Sequence, residues 1–222
     1  MAAPLSLSQK NELEGLSHQY GPVLYREAEI FTGFHDPVLK TDRVGEVCMV
    51  IRRPNGKLLL SIKSIYPRGA HRLPTGGVGI GEPIFAALFR ETQEETGLSV
   101  RLRRFLALIS YRLARTSETN SSSAREDERR LAERSDHHVA DEREPVFHTF
   151  AFLLDEAGGT LGVQDPTELI EEYIEIDPPE LTTVAERLES LPESDRGSVG
   201  SWRDWGKFRA VVHRAVHEAL TA

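Results

Sequence analysis

The stretch GGVGIGEPIFAALFRETQEETGL, residues 76–98, organises the rest of the chain. The glycines at its start are typical of a loop. The run that follows has no glycine or proline until Gly97, which predicts one helix over residues 83–96. Pro83 suits the first helical position, because the N–H that proline lacks would have no partner within the helix. Gly97 stands where a left-handed helix cap is expected.

The acidic side chains of this helix are not placed as a solvent-exposed face would place them. With about 100° of rotation per residue, the bulky apolar side chains form one arc, made of Ile84, Phe85, Leu88 and Phe89. Three carboxylates crowd at the edge of that arc, those of Glu91, Glu94 and Glu95. Carboxylates so close repel one another and stay ionised most readily around a cation. Oxygen ligands favour a hard ion, so we predict bound Mg²⁺ or Mn²⁺; a merely solvated acidic helix is the alternative.

The same stretch resembles the Nudix box of the Nudix hydrolases, G-x5-E-x7-R-E-U-x-E-E-x-G-U, where U is apolar. The matching positions are Gly76, Glu82, Arg90, Glu91, Glu94, Glu95, Gly97 and Leu98. Thr92 departs from the pattern, because an aliphatic residue is usual there. So many fixed positions seldom coincide by chance, which weighs against the merely solvated helix.

The resemblance implies an α/β fold in which a mixed β-sheet is sandwiched between α-helices, in α/β/α order. It implies an N-terminal arm at residues 1–40 and a Nudix domain at residues 41–222. In similar proteins such an arm pairs strands between subunits or covers one edge of the substrate. The alternative is an arm that only packs against the domain. Residues 114–144 are polar and low in large apolar side chains, which predicts a flexible insertion.

Local patterns predict the elements around the box. Asn55-Gly56 lies between two apolar runs, which is a strong hairpin signal. The predicted strands are residues 44–53, 57–63, 99–113 and 145–155, with another at the end of 168–177. Helical spacing predicts helices at residues 6–19 and 201–220, and the second is amphipathic with two tryptophans. We expect those tryptophans in the core or in a subunit contact.

The resemblance also implies the activity, which is metal-dependent hydrolysis of the pyrophosphate in a nucleoside diphosphate linked to another group. By position it implies Glu91, Glu94 and Glu95 as metal ligands, with a backbone carbonyl of Thr75 or Gly76 completing the set. Arg90 is implied to orient a box glutamate. Glu82 is implied to brace the loop or the metal-bound water.

The general base varies within the family and often lies outside the box. Our candidate is Glu168, which precedes the last predicted strand, and its rivals are Glu171, Glu142 and Glu144. Three cations stand immediately before the glycines, namely Arg68, His71 and Arg72. We expect them to meet the phosphate or base of the substrate; a solvated loop is the alternative.

Composition sets the remaining limits. The chain has 222 residues, 39% of them hydrophobic, which suffices for a full core. A net charge of −8 gives no basic face for nucleic acid. The one cysteine, Cys48, cannot form an internal disulfide, which suits a reducing compartment. With no secretory or membrane-spanning pattern, we expect a cytoplasmic protein.

Two other functions remain open. A catalytically silent Nudix domain could bind a nucleotide metabolite as a sensor, although such domains usually carry a degraded box. A structural protein with an acidic helix is the other, and it would leave the crowded carboxylates unexplained. The residues that distinguish the known subfamilies downstream of the box are absent. The sequence therefore does not specify which nucleoside diphosphate derivative is the substrate. The N-terminal arm and the tryptophan-containing helix favour a homodimer.

Overall fold

In the computed structural model, which describes residues 3–30, 42–113, 147–193 and 201–222, a mixed β-sheet forms the middle layer. Its strands are β1 (Leu24–Ile30), β2 (Arg43–Arg52), β3 (Leu58–Lys63), β4 (Thr75–Gly79), β5 (Leu98–Leu113), β6 (Phe147–Gly159) and β7 (Ile170–Ile176). The predicted insertion at residues 114–144, with the rival bases Glu142 and Glu144, lies outside the described residues.

The sheet order is β1-β5-β6-β2-β3-β7, and β4 pairs with β2 beside this path. β1 runs parallel to β5, and β2 runs parallel to β6. The other pairs are antiparallel, namely β2/β3, β2/β4, β3/β7 and β5/β6. Because β1 belongs to this sheet, part of the predicted N-terminal arm shares the core of the domain.

Helices cover both faces of the sheet. On one face, α1 (Leu7–Tyr20) and α2 (Ile84–Thr96) pack against β2 and β6. On the other face, α3 (Leu181–Glu189) and α4 (Trp202–Thr221) close a second core, in which both tryptophans of α4 are buried. The predicted α/β/α architecture is confirmed. Among the helices that the structure describes, none is long and apolar enough to cross a membrane.

The predicted hairpin of β2 and β3 forms at its turn. Farther from the turn, residues 72–75, which precede the glycines, lie between the two strands. The turn has Gly56 at a φ of 85°, a conformation that favours glycine. Farther along β3, the N–H of Ser61 donates to the carbonyl of Arg72 at 2.9 Å. On the β2 side, the N–H of Met49 donates to the carbonyl of Pro74 at 2.9 Å. Residues 72–75 therefore lie inside the sheet.

The glycines after this segment form a strand, so the predicted loop is wrong at residues 76–79. In β4, Gly76 lies opposite Val47 of β2. A Cβ added to Gly76 would lie 2.0 Å from Cδ of Glu91, and one added to Gly77 would lie 2.6 Å from Nη1 of Arg43. The glycines are needed here because β4 approaches neighbouring side chains closely, not because the chain turns.

The ends of α2 follow the sequence signals. The helix begins at Ile84, one residue later than predicted, with Pro83 as its N-cap. It ends at Gly97, whose φ of 65° is the predicted left-handed cap. Both ends are therefore determined by local residue chemistry.

The buried face of α2 differs partly from the predicted arc. Phe85 was expected in that arc but is 41% exposed. The buried face instead extends to Glu91 and Glu95. Thr92, the departure from the box pattern, packs in this face, and its hydroxyl donates to the carbonyl of Leu88 at 2.7 Å.

Candidate functional site

Helix α2 carries two buried carboxylates and one half-exposed carboxylate. Glu95 is 0% exposed and Glu91 is 7% exposed. Glu94, between them in the sequence, is half-buried. Charged side chains are seldom buried without a partner, because removing a charge from water is costly. The partners of these three carboxylates therefore define what the site can do.

Arg90 ties the box glutamates together. Its guanidinium donates to Glu82 at 2.9 Å, to Glu91 at 2.8 Å, to Glu94 at 3.0 Å and to the carbonyl of Gly77 at 3.0 Å. One side chain thus joins the start of the box, its helix and the strand β4. These contacts match the orienting role that the resemblance implies for Arg90.

Glu82 holds the turn between β4 and α2. Its carboxylate accepts the N–H of Gly79 at 2.8 Å, in addition to the hydrogen bonds from Arg90. Partial burial works against ionisation of Glu82, but the hydrogen bonds from Arg90 and Gly79 outweigh it and lower the pKa. Glu82 therefore stays charged and braces the turn.

Glu95 meets two charged residues from distant parts of the chain. The ammonium of Lys63, at the end of β3, lies 3.2 Å from Oε1 of Glu95 and 2.5 Å from Oε2 of Glu168. Neither oxygen of Glu95 accepts a hydrogen bond of normal geometry among the described residues. Glu168 is itself a carboxylate, so it bonds to Glu95 only when the two share a proton. Glu95 is therefore a buried, under-coordinated oxygen donor.

The pKa shifts reflect this arrangement. Burial raises the pKa of Glu95 to about 7, against the opposing effect of Lys63 and Arg72. Burial also raises the pKa of Glu91, with the hydrogen bond from Arg90 opposing it and the charge of Glu168 adding to it. For Glu168, the contact with Lys63 outweighs burial and lowers the pKa. The three carboxylates therefore lie near one another but differ in proton affinity.

The proposed base Glu168 lies next to the box glutamate Glu95, and the ammonium of Lys63 contacts both. It lies in a single 3-10 turn, Pro166–Glu168, just before β7. Its rival Glu171 is exposed on β7. The pairing of β7 with β3 explains the position of Glu168, because Lys63 pairs with Ile170 in that register.

Sequence reasoning missed two residues of the site. Lys63 stands at the polar end of an apolar strand, and only the packing of the folded chain brings its ammonium to Glu95. Tyr173 of β7 donates its hydroxyl to the backbone carbonyl of Glu95. Neither residue carries a local signal, since both contacts join segments far apart in the chain.

The three cations before the glycines have different environments. Arg72 was expected to meet substrate, but it is only 2% exposed and donates to the hydroxyl of Tyr66 at 3.2 Å. The reason is that residues 72–75 lie inside the sheet, so the expected solvent-facing position does not exist for Arg72. His71 is half-buried, and its ring lies 2.9 Å from the carboxylate of Glu172. Arg68 is exposed.

Thr75 and Gly76 lie at the start of β4, next to the carboxylates of α2. Gly76 lies against Glu91, as its missing side chain allows. The hydroxyl of Thr75 accepts from Arg209 of α4 at 3.2 Å, and the same guanidinium bonds Glu46 at 2.7 Å. A buried ion pair in the second core therefore anchors the strand that borders the site.

Side-chain cations lie between the carboxylates in this structure. Within the described ranges, no three Asp, Glu, His or Cys side chains converge closely enough to hold an ion as they stand. Arg90 and Lys63 bridge the groups that would do so. The donor set nevertheless fits Mg²⁺ or Mn²⁺, because it consists of carboxylate oxygens and includes the under-coordinated, fully buried Glu95.

The chain is similar to proteins of one family. A family model described as the NUDIX domain matches residues 42–199, which is more than half of the chain. An ADP-ribose pyrophosphatase from Streptococcus suis has a TM-score of 0.42 and 16% identity, covering 80% of this chain and 91% of that chain. A NUDIX family hydrolase from Clostridium perfringens has a TM-score of 0.39 and 13% identity, with coverages of 81% and 97%. A NUDIX hydrolase from Nitrosomonas europaea has a TM-score of 0.41 and 19% identity, with coverages of 68% and 82%. No curated protein matches the sequence.

Proposed function

The chain belongs to the Nudix family of hydrolases, and we propose that it cleaves the pyrophosphate of a nucleoside diphosphate derivative with the help of a divalent cation. The observation that carries this proposal is the fully buried Glu95 carboxylate, which lacks a normal hydrogen bond and lies beside Glu168. Among the described residues, Glu95 has one ion-pair partner, the ammonium of Lys63, and it shares that ammonium with Glu168. A buried carboxylate that is satisfied so incompletely is costly unless it has a task. Coordination of a hard cation is such a task.

The proposed ligands are the carboxylates of Glu91, Glu94 and Glu95, together with a backbone carbonyl of Thr75 or Gly76. A bound Mg²⁺ or Mn²⁺ would neutralise phosphate charge and make an attacking water more acidic. The contacts of Arg90 and Glu82 support a positioning role for both residues, since they join the helix to β4 and to the preceding turn.

Glu168 is the proposed general base, with Glu171 as its exposed rival. Contact with Lys63 lowers the pKa of Glu168, so its carboxylate is ionised near neutral pH but is a weak base. It would therefore take a proton from a water that the bound cation has made more acidic. Lys63 would in addition hold positive charge next to an anionic substrate. Arg68 and His71 remain the proposed substrate-facing cations, whereas Arg72 acts from the interior by opposing the raised pKa of Glu95.

The test is product release from a panel of nucleoside diphosphate derivatives with Mg²⁺ or Mn²⁺. The panel contains ADP-ribose, nucleoside triphosphates, dinucleoside polyphosphates, NADH and nucleotide sugars. Glu95→Gln should lower turnover at least about a hundredfold while the fold survives, because even residues behind a metal ligand commonly cost 10–100-fold. An unchanged rate in this variant would contradict the assignment. Metal binding without any turnover would favour the silent binding module instead.

We also propose three properties predicted from the sequence, namely a homodimer, a cytoplasmic location and a division into two segments. The homodimer would be dismissed by a light-scattering mass equal to one chain. The cytoplasmic location needs fractionation of the source cells. The division into residues 1–40 and 41–222 would be tested by limited proteolysis.

A further inference from the structure

Helix α1 lies outside the residues that match the family model, yet it contacts the start of the carboxylate helix α2. The carboxylate of Glu12 accepts the backbone N–H of Ile84 at 2.8 Å and that of Phe85 at 2.9 Å. These two N–H groups open α2 and have no partner within the helix. Glu12 therefore caps α2 from a separate segment of the chain.

No residue local to α2 provides this cap. Its N-cap residue, Pro83, makes no side-chain capping hydrogen bond, and its first turn contains no acidic residue. A carboxylate at a helix N-terminus is favourable both as a hydrogen-bond acceptor and against the positive end of the helix dipole. Glu12 lies outside the residues that match the family model, and it supplies both effects. The residues of α2 itself supply neither.

A second residue of α1 holds the turn that leads into α2. The side-chain amide of Gln9 donates to the carbonyl of Glu82 at 2.9 Å and to that of Gly79 at 3.4 Å. Gln9 is only 1% exposed, so these hydrogen bonds lie in a protected environment. Leu13 and Leu16 bury α1 in the same core as α2. The contact is therefore an integral part of the fold.

These contacts lead directly to the site. Glu12 and Gln9 hold the turn and the first residues of α2, and Glu82 in that turn bonds Arg90. Arg90 in turn bonds Glu91 and Glu94. A shift of the helix start would therefore reach the carboxylates through Glu82 and Arg90.

We propose that α1 is a positioning element, in which Glu12 caps the carboxylate helix and Gln9 fixes its entry turn so that the carboxylates are held for a divalent cation. This inference rests on the proposed function for the identity of the bound group. Glu12 and Gln9 are positioning residues, because they act through α2 and Glu82 and not on substrate.

The experiment compares Mn²⁺ binding and amide hydrogen exchange in the wild type, Glu12→Ala, Glu12→Gln and the control Glu14→Ala. Glu14 is exposed on the same helix, so its removal makes the same charge change without touching α2. Glu12→Ala should weaken Mn²⁺ binding about tenfold, as loss of a supporting residue commonly does. It should also speed exchange at the amides of Ile84 and Phe85. Glu12→Gln keeps an acceptor oxygen and should recover part of both losses.

The outcomes separate positioning from simple stabilisation. If Glu12→Ala loses amide protection or thermal stability but binds Mn²⁺ like the wild type, α1 only stabilises the fold and the inference is overturned. Equal losses in Glu14→Ala would overturn it as well, since the effect would then be one of net charge. Absence of Mn²⁺ binding in the wild type would overturn the proposed function, and this role with it.

Discussion

The ammonium of Lys63 lies 3.2 Å from Oε1 of Glu95, which is fully buried at the centre of the candidate site. The same ammonium bonds Glu168, so one cation compensates two carboxylates. Burial works against the charge of Lys63, but the charge of Glu95 outweighs it, and the net effect raises the pKa of Lys63. Lys63 is therefore charged and serves as the internal counter-ion of the site.

Replacing Lys63 by Met should destabilise the metal-free protein by about 3 kcal/mol at about pH 8, because it leaves buried carboxylates without their cation. The loss should be smaller at about pH 5, where a carboxyl of the pair can take up a proton instead. Chemical denaturation in the presence of EDTA measures both values. Mn²⁺ should restore part of the stability, since it would replace the missing positive charge.

Lys57→Met is the matched control for this substitution. Lys57 makes a 3.5 Å ion pair with Asp177 at an exposed position. Such a pair contributes at most about 1 kcal/mol. Equal losses in the two variants would contradict the counter-ion role of Lys63.

The metal-free protein should lose stability as the pH rises through the pKa of Glu95. Burial raises that pKa from an ordinary 4.5 to about 7, so the folded state binds the proton more tightly than the unfolded state. The stabilising contribution is therefore complete below the unfolded pKa and is lost as the pH passes the folded pKa. Its size is roughly 3–4 kcal/mol.

Glu95→Gln isolates this effect. The variant should show a flatter profile of unfolding free energy against pH in EDTA and should exceed the wild type in stability at about pH 8. Glu91 and Glu168 are retained in both proteins, so their own titrations largely cancel in the comparison. Parallel profiles for the two proteins would show that Glu95 ionises normally in the folded state.

Gly76→Ala should impair the site by displacing Glu91. The added methyl group would lie 2.0 Å from Cδ of Glu91. Overpacking of this kind costs about 1–3 kcal/mol, and a displacement of the carboxylate by 1 Å would lower turnover by up to about a hundredfold. Steady-state kinetics with the substrate found in the panel, together with thermal unfolding, measures both effects.

Gly15→Ala is the corresponding control. A Cβ at Gly15 in α1 meets no atom within 4 Å. Helix propensity predicts a gain of about 0.5–1 kcal/mol there, with turnover unchanged. Turnover in Gly76→Ala equal to that of Gly15→Ala would contradict the close packing of β4 on Glu91.

The buried pair Glu46–Arg209 should contribute less to stability than the loss of one member alone suggests. Arg209→Met leaves Glu46 buried and unpaired, and this should cost about 3–5 kcal/mol. The double variant Glu46→Gln/Arg209→Met should recover much of the loss, because no isolated charge remains. Denaturant titration of Arg209→Met, Glu46→Gln and the double variant gives the coupling energy. A strictly additive double variant would indicate that the two residues act independently.

Much of the fold was accessible from local patterns. The hairpin turn at Asn55-Gly56 and the helix between Pro83 and Gly97 depend on residues whose backbone preferences act within a few positions. Alternating and helical apolar spacing indicated strands and helices, and their order together with the box indicated three layers. Helical rotation placed Glu91, Glu94 and Glu95 close together at the edge of the apolar arc, which predicted their crowding.

Other features were missed because each depends on contacts between distant segments. The glycines of β4 were predicted to form a loop, because nothing in their own sequence shows that β2 will pair with them. Arg72 was expected beside the substrate, but its segment lies between β2 and β3 and its side chain is buried. Phe85 read as core, but the buried side of α2 is set by what packs on it.

The sequence by itself determined the ends of α2 and the oxygen-rich character of the site, because these depend on backbone preference and on the chemistry of glutamate. Its resemblance to the Nudix box implied the layered architecture. Only the tertiary structure decided that Lys63 and Glu168 meet Glu95, because Lys63 lies on β3, Glu95 on α2 and Glu168 just before β7, three segments far apart in the chain. The register of strands far apart in the chain depends on the packing of the whole core. No short segment carries that information.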